Sequence, residues 1–89
     1  MAILYKMDGT TIEVHPRKGK TFSLTELQTY VGGDIQPILL RNKWWVCNEG
    51  GKVKGYPLNV QATFESKIVY HKDFFVGDIL MCEPFEFPD

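Results

Sequence analysis

Residues 35–47 read Ile-Gln-Pro-Ile-Leu-Leu-Arg-Asn-Lys-Trp-Trp-Val-Cys, and the alternation in this stretch decides what kind of sheet the chain can build. Successive side chains of a strand point to opposite faces. A hairpin of strands at about Ile35 to Leu40 and Trp44 to Cys47, turning through Arg41-Asn42-Lys43, therefore sets Ile35, Pro37 and Leu39 on one face and Ile38 and Leu40 on the other. The adjacent Trp44 and Trp45 must also point oppositely, so both faces are apolar. Pro37 has no N–H to give to a ladder, which predicts an edge strand or a bulge.

The hairpin upstream is read from Asp8-Gly9, a two-residue turn signal between β-rich runs. With that turn Met7 opposes Thr10, Tyr5 opposes Ile12 and Ile3 opposes Val14, giving one apolar face. Lys6 opposite Thr11, Leu4 opposite Glu13 and Ala2 opposite His15 make the other face mostly polar, so this hairpin is expected to be buried on one side and mostly solvated on the other.

Two helices are signalled by their caps. Ser23 and Glu26 have the spacing of a capping box, flanked by Phe22 and Leu27 as a hydrophobic staple. A helix is predicted from Leu24, burying Leu24, Leu27 and Val31 and ending at Gly32-Gly33. Asn59 is the expected N-cap of a second, short helix that packs through Val60, Ala62 and Phe64. Ile68-Val69-Tyr70 reads as a further extended piece. A turn at Val76-Gly77-Asp78 leads to a last strand from Ile79 to Cys82, buried on both sides or nearly so.

The order β-β-α-β-β-α-β gives the predicted fold class, a single small α+β domain over residues 1–89 with a mostly antiparallel sheet and two short helices. Residues 83–89 form an acidic tail rich in Phe and Pro. Two short helices are expected to cover one face of the sheet but hardly both. The two-sided tryptophan hairpin then calls either for curvature into a partial barrel or for a partner subunit.

The 89 residues are 44% hydrophobic and 24% charged, the balance of an ordinary globular domain. No apolar run is long enough to span a bilayer and the first residues do not read as a signal peptide, so the expected location is cytoplasmic. Cys47 and Cys82 lie inside apolar β-like runs and read as buried free thiols of a reducing compartment. The net charge of −1 conceals an asymmetry: residues 1–54 carry eight Lys/Arg against five Asp/Glu, giving +3, and residues 55–89 two against six, giving −4. These charges are expected mainly to solvate loops or to pair within the fold.

Little points to catalysis. His15, His71, Cys47 and Cys82 lack zinc-ligand spacing, so no metal and no cofactor is expected. Ser23 and Glu26 are accounted for by a cap, Asp8 and Asp78 by turns, which leaves no nucleophile with an evident base. The domain is expected not to be an enzyme.

Three binding surfaces compete. Residues 48–63 set Gly51, Lys52, Lys54 and Gly55 before the helix start at Asn59, and such a segment could receive a phosphate or equally serve as a connector. It lacks the Ser/Thr that completes a Walker loop, since Tyr56-Pro57 follows. Arg17, Lys18 and Lys20 in one loop, with Arg41 and Lys43 beside Trp44 and Trp45, suit a single-stranded nucleic acid. Trp44 and Trp45 with Phe85 and Phe87 of the tail suit a protein interface, where the two phenylalanines either dock on a partner or cover the domain's own core.

Leu24, Glu26-Leu27-Gln28 and Val31-Gly32-Gly33 open a pattern that continues through Asn48-Glu49, Gly51-Lys52 and Gly55. It ends with Pro57-Leu58-Asn59, Ala62-Thr63 and Val76-Gly77-Asp78. In order and spacing this resembles a small uncharacterised domain family, a domain of unknown function met in bacteria, their phages and mobile elements. Tyr56 stands where leucine is expected. The resemblance implies an accessory role and supplies no catalytic residue. Residues and resemblance together predict a non-enzymatic binding module acting through macromolecular contact, with a protein partner favoured over nucleic acid, a homodimer as one form of that contact, and no membrane. The alternatives are a protein that binds or sequesters a phosphate or nucleotide, and a single-stranded nucleic-acid binder.

Overall fold

The computed structural model describes residues 1–88, so Asp89 of the tail lies outside the described residues. Five strands, β1 (Ala2–Tyr5), β2 (Thr11–Val14), β3 (Ile35–Leu40), β4 (Lys43–Asn48) and β5 (Ile79–Cys82), form one sheet in the order β2-β1-β5-β4-β3. Every neighbouring pair is antiparallel. Helix α1 spans Leu24–Val31 and α2 spans Val60–Glu65, with 3-10 turns at Ile68–His71 and Pro84–Glu86. This is the α+β fold with an antiparallel sheet and two short helices read from the sequence.

The alternation of the three inner strands produces two cores. Ala2, Leu4, Val46, Leu80 and Cys82 face one way and bury Phe22, Leu27 and Val31 from the α1 side. Tyr5, Trp45, Cys47 and Ile79 face the other way and bury Ala62, Ile68 and Phe75 from the α2 side. Each helix thus covers its own face. The sheet needs no closure into a barrel to cover its second face, because Ile68 of the turn at Ile68–His71 and Phe75 after it widen the cover that α2 provides.

The tryptophans divide as parity requires. Trp45 is 5% exposed, stacked between Tyr5 at 5.5 Å and Phe75 at 6.2 Å between ring centroids. Trp44 lies on the α1 face under Phe87, centroid to centroid 4.7 Å. The turn of this hairpin is tighter than expected: Arg41 and Asn42, both left-handed at φ 52° and 64°, form a two-residue loop, and Lys43 already belongs to β4. Pro37 lies in β3, an edge strand, as read.

The first hairpin departs from expectation by one residue. Leu4 opposes Ile12 and Ala2 opposes Val14, while the Lys6 N–H donates to the Thr10 carbonyl at 2.8 Å and the Gly9 N–H to the Lys6 carbonyl at 3.0 Å. The loop is therefore three residues long, with Gly9 at φ 94° as a bulge, the alternative that Asp-Gly also permits. Since β1 is interior, both of its faces are buried, not one.

Helix α1 has the full capping box. Ser23 Oγ accepts from the Glu26 N–H at 3.1 Å and Glu26 Oε1 accepts from the Ser23 N–H at 2.9 Å. Gly32, left-handed at φ 82°, ends it by donating to the Gln28 carbonyl. Leu24, expected inside, is 51% exposed. Residues 68–71, expected extended, form a 3-10 turn instead, framed by Lys67 and Lys72 in left-handed conformations.

Candidate functional site

The glycine-lysine segment folds as a coil closed on itself. The Gly50 N–H donates to Asn48 Oδ1, Gly51 to the Asn48 carbonyl, Lys54 to Gly50, Gly55 to Lys52 and Tyr56 to Gly51, all within 2.8–3.2 Å. Five backbone N–H groups of the segment, those of Gly50, Gly51, Lys54, Gly55 and Tyr56, are thus already engaged, while those of Lys52 and Val53 make no such bond. Gly51 is buried, and a Cβ there would sit 3.0 Å from Val76 Cγ2, so its glycine answers to packing. Gly55 takes a left-handed turn at φ 75° with open space around it. Lys52 forms an ion pair with Asp73 and its Nζ lies 4.4 Å from the Phe74 ring centroid. That hydrogen bond holds the Asp73 carboxyl below the usual carboxylate range. Lys54 leans over Tyr56 at 5.8 Å.

Asn59 is 2% exposed and is a structural knot. Its Nδ2 donates to the carbonyls of Tyr5 and Gly77, both at 2.8 Å, and its Oδ1 accepts from the Ala62 N–H at 3.0 Å. Its own N–H donates to the Phe75 carbonyl. Every polar group of Asn59 is spent on holding α2 against β1 and the turn before β5, and none faces an incoming anion.

The aromatic set is dispersed in the same way. Trp45 is core. Phe87 covers Trp44, and the tail that carries it is tied down by the Phe22 N–H donating to the Glu86 carbonyl and by Thr21 Oγ1 donating to the Phe85 carbonyl. Phe85, at 63% exposure, turns outward alone. The structure brings Trp44 and Phe87 together and separates both from Trp45.

Reactive groups are occupied or muted. Burial pushes the Cys47 thiol up to about 11 and the Cys82 thiol up to about 12, so both stay protonated at neutral pH. Ser66 Oγ donates to the Thr63 carbonyl and accepts from the Ile68 N–H. Glu26 also accepts from the Arg17 N–H at 2.8 Å, and its hydrogen bonds, first that from Ser23, hold its carboxyl low. Among the described residues no three His, Cys, Asp or Glu side chains gather as a metal site. Arg17 and Lys18 line an open groove along α1 with His15, Glu26 and Tyr30, and neither tryptophan is part of its lining.

A different surface emerges at α2. The cap at Asn59 fixes which residues turn inward: Asn59, Ala62, Thr63 and Ser66, spaced by three and four, are all buried at 5% or less. Thr63 Oγ1 donates to the Asn59 carbonyl and accepts from the Phe75 N–H at 2.9 Å, so this inner stripe is hydrogen-bonded throughout. Val60 and Phe64 are consequently turned out, at 56% and 60% exposure, against the expectation that they pack inside. With Leu58 and Met7, exposed by 50% and 43%, they line a groove of about 460 Å³ between α2 and the first turn. The sequence shows Asn59 as a cap but not that its Nδ2 reaches the Tyr5 and Gly77 carbonyls, the contact that turns Ala62, Thr63 and Ser66 inside and Val60 and Phe64 outside.

No helix among the described residues is long and apolar enough to cross a membrane. The chain belongs to the family described as Domain of unknown function (DUF3846), whose model matches residues 1–86. The resemblance carried by residues 24–80 therefore extends over nearly the whole chain. No curated protein and no solved structure matches it.

Proposed function

We propose that this domain is a small non-enzymatic module that works by contact with another protein, and that the outer face of α2 is its contact surface. One observation carries the reading: α2 buries its small polar residues and exposes Val60 and Phe64, which with Leu58 and Met7 form the apolar part of a groove also lined by Lys6, Asp8, Gln61 and Glu65. Contiguous exposed apolar surface on a small domain marks interaction sites. The hydrogen-bonded inner stripe fixes this orientation, so the apolar residues cannot rotate inward without breaking the Asn59 and Thr63 bonds. The low reactivity of the buried thiols and the engagement of Ser23, Ser66 and Glu26 support binding over catalysis. A cytoplasmic setting in bacteria, phages or mobile elements belongs to the same proposal.

The phosphate- or nucleotide-binding alternative would use Lys52 and Lys54, and the closed backbone of residues 48–56 and the Lys52–Asp73 pair speak against it. The nucleic-acid alternative would need basic charge beside a free aromatic face, and Trp45 in the core with Trp44 under Phe87 supports it little.

The test is capture from an extract of the source cells by the wild type and by a Val60→Asp/Phe64→Asp variant with unchanged circular dichroism. A protein retained by the first and lost by the second supports the reading. Capture indifferent to these substitutions, or a melting temperature raised by nucleotides at millimolar concentration, overturns it.

A further inference from the structure

The two edges of the sheet are not equivalent. Just beyond the paired ends of β3 and β4 the Glu49 N–H donates to the Asp34 carbonyl, which marks 34–49 as a hydrogen-bonded pair. Bonded and non-bonded pairs alternate in antiparallel ladders. Gln36, Ile38 and Leu40 are therefore bonded to β4, and Ile35, Pro37 and Leu39 turn their backbone groups outward. Pro37 occupies an outward position, where its missing N–H costs the ladder nothing and interrupts the outer edge. A proline so placed blunts an edge against pairing with another chain.

Edge β2 has no proline, and its protection is limited to its short length and the charge of Glu13. The Lys6–Thr10 bond fixes the alternation, so Leu4–Ile12 and Ala2–Val14 are the bonded pairs, and Thr11 and Glu13 present N–H and C=O away from β1. No described element covers them, and Thr11, Ile12 and Glu13 are exposed, Ile12 by 46%.

We propose that β2 is the pairing edge for a second copy of this chain, joined antiparallel about a two-fold axis at Ile12. The outward groups of Thr11 and Glu13 must meet outward groups, which restricts the register. Glu13 against Glu13 sets like charges directly opposite, which is destabilising. Thr11 against Thr11 leaves Val14 and Glu13 beyond the four-residue strand of the other copy. Thr11 against Glu13 pairs residues 11–13 of the two copies and makes two bonded pairs, with Val14 opposite Thr10 just outside the strand. It also closes Ile12 on the second copy's Ile12 as the intervening non-bonded pair, where side chains approach most closely.

This self-complementarity, Ile12 on Ile12 at the axis between two bonded pairs of Thr11 with Glu13, is what selects a second copy as the occupant. Two four-residue strands bury less than the roughly 1,200 Å² of a standard stable interface, so the dimer is weak and concentration-dependent. The inference is independent of the α2 surface.

Sedimentation velocity over a concentration series tests it, with amide hydrogen exchange on the same samples. The wild type should pass from monomer to dimer as Thr11 and Glu13 amides gain protection. Ile12→Lys, which alters no backbone group, and Glu13→Pro, which removes one outward N–H, should each weaken association by about tenfold or more. Val60→Asp/Phe64→Asp should dimerise as the wild type does. If Glu13→Pro fails to fold, Ile12→Lys decides. A wild type monomeric at every concentration overturns the proposal, as does a dimer that survives Ile12→Lys or that is lost only with the α2 substitutions.

Discussion

Helices α1 and α2 lie on opposite faces of one sheet and are held there by different forces. Under α1 the contact is apolar: Phe22, Leu27 and Val31 meet Ala2, Leu4, Val46, Leu80 and Cys82. Under α2 the inner stripe is Asn59, Ala62, Thr63 and Ser66, and its grip is a set of hydrogen bonds to Tyr5, Gly77 and Phe75. Apolar contact consumes a helix's hydrophobic residues, whereas hydrogen-bonded contact leaves them for the outside. The six-residue α2 thereby keeps Val60 and Phe64 free while remaining fixed in place.

Leu27→Ala should break the first kind of contact most severely. Leu27 is fully buried, and its truncation is expected to cost about 2–5 kcal/mol, read from denaturant unfolding. Asn59→Ala attacks the second kind. It strands the Tyr5 and Gly77 carbonyls and uncaps α2, for an expected loss of about 2–3 kcal/mol, with amides of residues 60–66 losing exchange protection first. An unfolding midpoint unchanged by Asn59→Ala would show that α2, too, is held by apolar contact alone.

Smaller effects sharpen the contrast. Ser23→Ala removes half of the capping box and should cost α1 about 1 kcal/mol. Acid should separate the two covers. Because the folded-state pKa of Glu26 is lowered, its contribution is present above the unfolded carboxylate range and is lost as pH falls through the folded value. The inner stripe of α2 contains no carboxylate. Exchange measured near neutrality and in acid should show α1 loosening ahead of α2. Phe64→Ser, on the open face, should change stability by no more than about 0.5 kcal/mol while reducing partner capture.

What the sequence disclosed follows the range of the interaction concerned. The Ser23–Glu26 box, the stop at Gly32 and the edge position of Pro37 depend on neighbours within a few residues, and all were legible. The first hairpin slipped by one residue because Asp8-Gly9 serves a two-residue turn and a three-residue bulged loop equally well. The orientation of α2 was missed for a longer-range reason. Asn59 fastens to a carbonyl 54 residues away, and that bond, not hydrophobicity, decides which side of the helix faces the sheet. The candidate anion segment looked open because sequence cannot show that Gly50, Gly51, Lys54, Gly55 and Tyr56 spend their N–H groups within it.

The central place of β5 carries a consequence for how the molecule comes into being. Hairpins β1–β2 and β3–β4 are each local in sequence, yet neither touches the other across the sheet except through β5, the last strand made. During synthesis the two halves must wait, each with open inner edges, until residues 79–82 are available to insert between β1 and β4. Closure is then a single late event joining chain segments about 75 residues apart, and such distant pairings are slow to find. The ribosome-bound nascent domain should accordingly remain sensitive to protease until that strand has cleared the exit tunnel, and become resistant in one step.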